Sequence, residues 1–188
     1  MEIFENWLTG GNVRLLNGTK SRRELDGPRM IVLHYTAGTS AAGSAVYLSR
    51  PDVNVSAHVV VGRLGEVIQL TPFNLEAWHA GMSEYGGRTG LNRYSVGIEL
   101  DNLGRLEKRD GLYVAECGRV VAPGEVYTHA DGSVWHRYTS AQVTTLRELC
   151  LLLRERYPIC HVVGHSDVTE RKQDPGPALA ACGFDGYA

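Results

Sequence analysis

Three short apolar runs constrain the fold of this chain more than any other feature. They lie within "RMIVLHYTAG", "YSVGIELDN" and "ICHVVGH", and the first extends from Met30 to Leu33. Each run is too short for an ordinary helix, is rich in β-branched residues and stops at glycine or polar residues, which is typical of buried strands. The sequence therefore predicts a sheet whose central strands are covered on both faces.

Two segments between these runs have helical patterns. "TSAAGSAVYLSRP" has Thr39 or Ser40 as a possible cap and Pro51 as a stop. Further on, Thr139 to Gln142 fits a capping box and precedes an apolar stripe, formed by Val143, Leu146, Leu149, Cys150 and Leu153. "SAHVVVGRLGEVIQL" indicates two strands joined around residues 63–65. These elements predict an α/β (α+β) fold with a mixed central β-sheet flanked by helices.

The length of 188 residues suits a single domain that buries its own core. We predict one domain over residues 1–188, with its core at about 28–182. The first 28 residues are polar and glycine-rich and predict a loosely structured lead-in. Residues 103–138 alternate short apolar pieces with turn signals, which predicts a hairpin-bearing insertion.

Charge and composition argue against several classes of partner. A net charge of -2 lacks the basic excess that nucleic-acid or anionic-membrane binding requires, and no apolar run is long enough to cross a bilayer. The N-terminal segment has no signal-peptide pattern, so a cytoplasmic location is expected, although export by another route or holin-dependent release stays open. Without a Cys-x-x-Cys pair, the four cysteines are expected to be free thiols.

Two histidines stand where the predicted strands end, and a carboxylate follows the second. His34 closes the first strand, His165 closes the last, and Asp174 lies in "VVGHSDVTERKQDPGP". Two imidazoles and one carboxylate suit a zinc ion with one open position, as in catalytic sites. Histidines that are hydrogen-bonded in the core or solvated are the alternative, and spacing alone does not choose between them.

Other candidates are equally open from the residues alone. Glu99 in "SVGIELDN" is either a surface carboxylate or one kept inward for a purpose, and Lys172 is a solvated loop lysine unless Asp174 binds metal. Trp78 and His79 form either an aromatic face for a ligand or a buried pair. Of the remaining histidines, His58 is predicted to be structural, His129 and His136 to be mainly solvated, and His161 to be a weak candidate.

These segments together resemble a known family. "NVSAHVVVGRLGEVIQLTPFNLEAWHAGMSEYGGRTGLNRYSVGIEL" followed by "GHSDVTERKQDPGP" is similar to the zinc-dependent N-acetylmuramoyl-L-alanine amidases of the type 2 amidase family. That family includes phage amidases, peptidoglycan recognition proteins and a cytosolic amidase that recycles anhydro-muropeptides, and the chain most resembles the last of these. The resemblance runs from about Met30 to Pro177 and implies the peptidoglycan recognition protein-like amidase fold.

The resemblance also implies roles for individual residues. His34, His165 and Asp174 would bind Zn2+, Glu99 would be the catalytic glutamate, and Lys172 would stabilise the oxyanion. Tyr35, which stands where the recycling enzyme has asparagine, is expected with Trp78 and His79 to contact the substrate. The insertion at 103–138 is longer than the corresponding segment of that enzyme.

The implied activity is hydrolysis of the amide between N-acetylmuramic acid, or its 1,6-anhydro form, and the L-alanine of peptidoglycan stem peptides. The partner would then be peptidoglycan or a muropeptide, with no nucleic acid and no membrane. One alternative is a lysin or effector amidase that acts on polymeric murein. Another is a non-catalytic peptidoglycan-binding module, which an intact set of metal ligands argues against.

Overall fold

A computed structural model describes residues 1–184, so the last four residues of the predicted domain 1–188 lie outside the described residues. The strands are β1 (Glu2–Phe4), β2 (Trp7–Thr9), β3 (Val13–Leu15), β4 (Met30–Tyr35), β5 (Val59–Val61), β6 (Val67–Gln69), β7 (Glu84–Tyr85), β8 (Arg88–Thr89), β9 (Ser95–Leu100), β10 (Arg105–Arg109), β11 (Leu112–Ala115), β12 (Val120–Val121), β13 (Val126–Thr128), β14 (Val134–His136) and β15 (His161–Gly164). The α-helices are α1 (Ala41–Ser49), α2 (Ser140–Arg156) and α3 (Pro177–Ala181), and short 3-10 helices cover Leu91–Arg93, Pro123–Glu125 and His165–Asp167.

The central sheet has six strands in the order β15-β4-β9-β5-β6-β3. The strands are parallel except for the β5–β6 hairpin. The sheet is therefore mixed, as the sequence predicts. The three apolar runs form its neighbouring strands β15, β4 and β9.

Helices cover both faces of this sheet. Helix α2 buries its predicted apolar stripe against alternate residues of the central strands, such as Ile31, Leu33 and Ile98. Helix α1 packs against the other face, where Ala45 and Leu48 meet residues of β5 and β6. Successive side chains of a strand point to opposite faces of the sheet, so α2 and α1 contact different residues of the central strands. No helix within residues 1–184 is long and apolar enough to cross a membrane.

The predicted helix starts are confirmed in detail. Ser40 caps α1 by accepting a hydrogen bond from the backbone N–H of Gly43. Thr139 and Gln142 form the capping box of α2, each side chain bonding to the other residue's backbone N–H. Both caps satisfy N–H groups that have no partner within the helix.

Residues 105–136 form a second sheet, with five antiparallel strands in the order β12-β11-β10-β14-β13. Its own small core contains Leu103, Leu106, Ala115, Val121 and Val126. The segment that the sequence analysis describes as a hairpin-bearing insertion is thus an ordered sheet beside the central one.

The prediction of a loosely structured lead-in is wrong. Residues 1–28 contain the β1–β2 hairpin and β3, which pairs with β6 and extends the central sheet. Leu8 is 1% exposed, and its backbone N–H donates to the buried Gln69 side chain at 2.6 Å. These contacts with distant residues stabilise strands that are too short to show a periodic pattern.

Candidate metal centre

Parallel pairing brings the two strand-end histidines together. β15 and β4 are adjacent, with Gly164 opposite Leu33, so His165 follows β15 beside His34 in β4. Parallel strands end at the same edge of a sheet, which places both imidazoles at one rim. Both side chains are buried, His34 with 2% and His165 with 5% of its surface exposed.

Three potential ligand atoms converge at this rim. His34 Nδ1 lies 3.0 Å from His165 Nδ1 and 2.9 Å from Asp174 Oδ2, and His165 Nδ1 lies 3.0 Å from the same carboxylate oxygen. Ligand atoms in a tetrahedral zinc shell are separated by about 3.3 Å, given bonds of about 2.0–2.1 Å. The triangle therefore has nearly the dimensions that one metal ion requires. Within residues 1–184, these three side chains form the one group of His, Cys, Asp or Glu residues that are close enough together to hold a metal ion.

The loop that carries Asp174 is fixed at both ends. The backbone N–H of Ser166 donates to the Asp174 carbonyl at 2.9 Å, which closes the loop after His165. Tyr138 donates its hydroxyl to the Pro175 carbonyl at 2.8 Å, and a Cβ at Gly176 would lie 2.5 Å from the ring of Trp135. Trp135 in β14 and Tyr138 just before α2 thus hold the loop that carries Asp174 in place.

The pKa shifts of Asp174 and His34 favour the forms of these side chains that bind metal ions. Burial alone would raise the pKa of Asp174, but the His165 and His34 imidazoles, each within 3.0 Å of its Oδ2, outweigh that effect and hold the pKa of this carboxyl well below its ordinary value. Burial lowers the pKa of His34, with Asp174 opposing that effect. An ionised carboxylate and a neutral imidazole are the forms that bind metal ions.

Glu99 faces the same site. It lies opposite His34 in the β4–β9 register, on the face of β9 away from Ile98 and Leu100. Its Oε2 is buried and has no hydrogen-bond partner within the described part of the chain. Burial, and next the charge of Asp174, raise the pKa of Glu99 to about 8, while Lys172 opposes this rise. A carboxyl with a raised pKa and one buried, unpartnered oxygen, beside a group of possible metal ligands, is a candidate for a catalytic acid or base.

A groove of about 770 Å³ opens above these residues. Tyr35, Trp78 and Lys172 all line it, so the structure brings these three predicted site residues to one cavity with the ligand triangle. The Tyr35 ring also packs against Gly104 at the start of the second sheet, where a Cβ would come within 2.5 Å of it. Glu116, which sequence analysis misses, lines the groove from the same sheet. Glu116 could be recognised as a groove residue only from the position of the second sheet beside the groove.

His79 lines the same groove as Trp78 but lies deeper in it. Its side chain is 8% exposed, and its Nδ1 lies 3.1 Å from His34 Nε2, behind the ligand triangle. Burial lowers the pKa of His79 well below its ordinary value, and the neighbouring histidines lower it further. Both members of the predicted aromatic pair line the groove, and His79 is the more deeply buried of the two.

The remaining histidines lie outside the ligand triangle. His58 is fully buried and bonds to the backbone N–H of Gly97 and the carbonyl of Leu75, consistent with the predicted structural role. The prediction that His136 is mainly solvated is wrong: it is 6% exposed, and its Nδ1 accepts from the Leu103 N–H at 3.1 Å. His129 is half-buried beside Tyr127. His161 packs against Tyr85.

Known proteins share both the sequence and the fold. The chain is 34% identical to the 1,6-anhydro-N-acetylmuramyl-L-alanine amidase AmpD of Escherichia coli (strain K12) over 130 residues, or 68% of this chain and 55% of AmpD. The match thus spans little more than half of that relative's length.

Two solved structures superpose well. A selenomethionine derivative of AmpD has a TM-score of 0.64 at 26% identity, covering 97% of this chain and 99% of that chain. AmiD from E. coli, solved as a complex with the substrate anhydro-N-acetylmuramic acid-L-Ala-D-γ-Glu-L-Lys, has a TM-score of 0.63 at 30% identity, covering 88% of this chain and 61% of that chain.

The family model described as N-acetylmuramoyl-L-alanine amidase matches residues 24–177. This range includes the ligand triangle, Glu99, Lys172 and the groove residues Tyr35 and Trp78. It also includes the whole second sheet. On this match, which covers most of its length, the chain belongs to the N-acetylmuramoyl-L-alanine amidase family.

Proposed function

We propose that the chain is a zinc-dependent amidase that cleaves the bond between N-acetylmuramic acid, or its 1,6-anhydro form, and the L-alanine of a stem peptide. The observation that carries this proposal is the convergence of His34 Nδ1, His165 Nδ1 and Asp174 Oδ2 within 3.0 Å of one another. The family membership and the substrate complex of AmiD support the choice of bond.

The donor set favours zinc. Two imidazole nitrogens and one carboxylate oxygen form a ligand set that zinc accepts in catalytic sites, and the groove leaves room for a further ligand. When bound, the ion would supply Lewis-acid polarisation of the scissile carbonyl and activation of water at neutral pH, and its charge would favour ionised Glu99.

Glu99 would move the proton. Its Oε2 is enclosed and has no hydrogen-bond partner among residues 1–184, so a proton on this oxygen is not lost to a competing acceptor there. We infer that Glu99 takes a proton from the attacking water and returns it to the leaving amine of L-alanine, which is general base and then general acid catalysis. Burial raises the pKa of this carboxyl in the metal-free site. The charge of a bound ion would lower that pKa toward the ionised form that accepts a proton.

Lys172 would stabilise negative charge on the substrate oxygen. It lies two residues before Asp174 on the fixed loop and is exposed to the groove. An ammonium group at this position complements the charge that develops on a carbonyl oxygen during attack. Tyr35 and Trp78 would contact the sugar or the stem peptide, since aromatic faces with a polar edge suit both.

The experiment is product identification by mass spectrometry. The zinc-loaded protein is incubated with anhydro-N-acetylmuramyl-L-alanyl peptide and, separately, with polymeric murein. The proposal expects a free peptide that begins with L-alanine, and no such product from the Glu99→Gln variant. Cleavage at another bond, or binding without cleavage, would contradict it and favour a binding module.

We further propose that the soluble anhydro-muropeptide is the preferred substrate and that the protein acts in the cytoplasm. The resemblance to recycling amidases supports both statements, as does the AmpD match. The two substrate reactions above decide the first, because a lysin or effector would release peptide from polymeric murein at the higher rate. Fractionation of the native host cell decides the second.

A further inference from the structure

The two proposed ligand imidazoles turn their second nitrogens toward consecutive residues. His34 Nε2 lies 3.1 Å from His79 Nδ1, and His165 Nε2 lies 3.4 Å from the carbonyl oxygen of Ala80. A carbonyl oxygen only accepts, so His165 donates from Nε2 and, as a neutral ring, leaves its Nδ1 without a proton. The second nitrogen of a metal-binding histidine usually has such a partner.

The direction of the His34–His79 bond follows from Ser95. The Ser95 hydroxyl donates to the Leu91 carbonyl at 2.7 Å, so its oxygen offers only lone pairs to His79 Nε2 at 3.2 Å. The Ser95 carbonyl, another pure acceptor, lies 3.4 Å from the same nitrogen. His79 therefore carries its proton on Nε2, its Nδ1 accepts, and His34 must donate from Nε2. His34 Nδ1 then presents a lone pair to the triangle.

The segment that carries these partners is itself fixed. The Asn92 side-chain oxygen accepts from the backbone N–H groups of His79 at 3.0 Å and of Ala80 at 2.7 Å. In β9, a Cβ at Gly97 would come within 2.4 Å of the His79 ring, so only glycine leaves room for that ring. Ser95, Gly97 and Glu99 alternate on one face of β9, which thus serves His79 and the reaction site together.

We propose that His79 is a positioning residue for the metal centre, fixing the tautomer and the ring orientation of His34 through the chain His34–His79–Ser95. The Ala80 carbonyl does the same for His165. This inference rests on the proposed function only in taking His34 as a ligand. It gives His79 a role different from the substrate contact that the sequence suggests.

The direct test is NMR of the zinc-loaded protein labelled with 15N-histidine. We expect the His34 ring to be protonated at Nε2 and the His79 ring at Nε2 only, with a scalar coupling across the His34 Nε2–H···Nδ1 His79 hydrogen bond. Protonation of His79 at Nδ1, or absence of the coupling while both rings are assigned, overturns the inference. The wild-type spectrum needs no variant, so a misfolded mutant cannot leave the question open.

Zinc affinity, measured by competition with a chelator, tests the consequence. His79→Leu removes the acceptor and should weaken zinc binding on the order of 10- to 100-fold. His79→Asn, whose amide oxygen can replace Nδ1 as acceptor, should recover most of the affinity. His58→Leu is the matched control, since the His58 side chain is also buried and, within residues 1–184, bonds to backbone groups of Gly97 and Leu75. It should lower Tm and leave zinc affinity unchanged.

The outcomes separate this inference from the proposed function. Equal losses of zinc affinity in His79→Leu and His58→Leu, or unchanged affinity in His79→Leu, would overturn the positioning role. If the wild-type protein binds no zinc, the proposed function fails. The coupling between His34 and His79, read in the zinc-free protein, then still decides whether the hydrogen-bond chain exists.

Discussion

Replacement of Glu99 by glutamine separates the catalytic claim from the metal claim. The side chain keeps its shape but can neither accept nor release the proton that hydrolysis requires. We expect turnover to fall on the order of 10²- to 10⁴-fold, the usual contribution of general acid–base catalysis. The zinc content should stay that of the wild type, because Glu99 is not one of the three converging ligands.

The same variant has a second consequence, for the stability of the zinc-free protein. Burial raises the pKa of Glu99 from 4.5 to about 8. Between these two pH values the unfolded chain loses its proton while the folded chain keeps it, so folded wild type is destabilised progressively as the pH rises. Glutamine carries no such cost. The Glu99→Gln protein should therefore gain stability relative to wild type as the pH rises from about 5 to 8.

The size of that gain follows from the pKa difference. Each pH unit is worth about 1.36 kcal/mol, so a rise from 4.5 to about 8 gives at most about 5 kcal/mol. The actual gain is smaller, because the Glu99 residue is only half-buried even though its Oε2 is enclosed. A gain of about 2–3 kcal/mol at pH 8 would agree with this geometry.

The assay is urea denaturation of zinc-free wild type and variant at pH 5 and pH 8. Glu155→Gln, an exposed position on helix α2, is the matched control and should show no such pH-dependent gain. Two results would refute the reasoning: a stability difference that does not grow with pH, or normal turnover by the zinc-loaded Glu99→Gln protein.

Two further substitutions test the remaining parts of the account. Lys172→Met should lower kcat on the order of 10²-fold and leave zinc content unchanged, whereas Lys108→Met, at an exposed position of β10, should keep wild-type kcat; equal kcat values would remove Lys172 from the mechanism. Leu146→Ala, at a position with no exposed surface in the stripe of α2, should cost about 2–5 kcal/mol in urea denaturation. Leu151→Ala, where the leucine is 54% exposed on the same helix, should cost far less, and similar costs would place the core elsewhere.

Local sequence patterns predict most of the central fold. The strands β4, β9 and β15 appear as short apolar runs, and α2 appears as a capped apolar stripe, because burial on both faces or on one stripe leaves a clear period. β1, β2 and β3 have three residues each, too few for a period, and β3 depends on its pairing with β6. Their existence is a tertiary effect.

The candidate site shows the same division. His34 and His165 can be proposed from strand ends, because parallel strands bring their ends to one edge. The inward position of Glu99 requires knowing which face of β9 carries Ile98, and the sequence alone does not show this. The burial of His79 depends on Gly97 in β9, far away in sequence, so residue type alone cannot show that His79 is also a partner of His34.

The central claim is that His34, His165 and Asp174 hold a catalytic zinc ion. Its most direct test is the zinc content of purified wild type and Asp174→Ala, measured together with release of L-alanyl peptide from anhydro-muropeptide. Glu170→Ala, which removes an exposed carboxylate from the same loop, serves as the control for zinc content. The account predicts that Asp174→Ala loses zinc and peptide release together while Glu170→Ala keeps its zinc. An Asp174→Ala protein that retains zinc and wild-type turnover would contradict it.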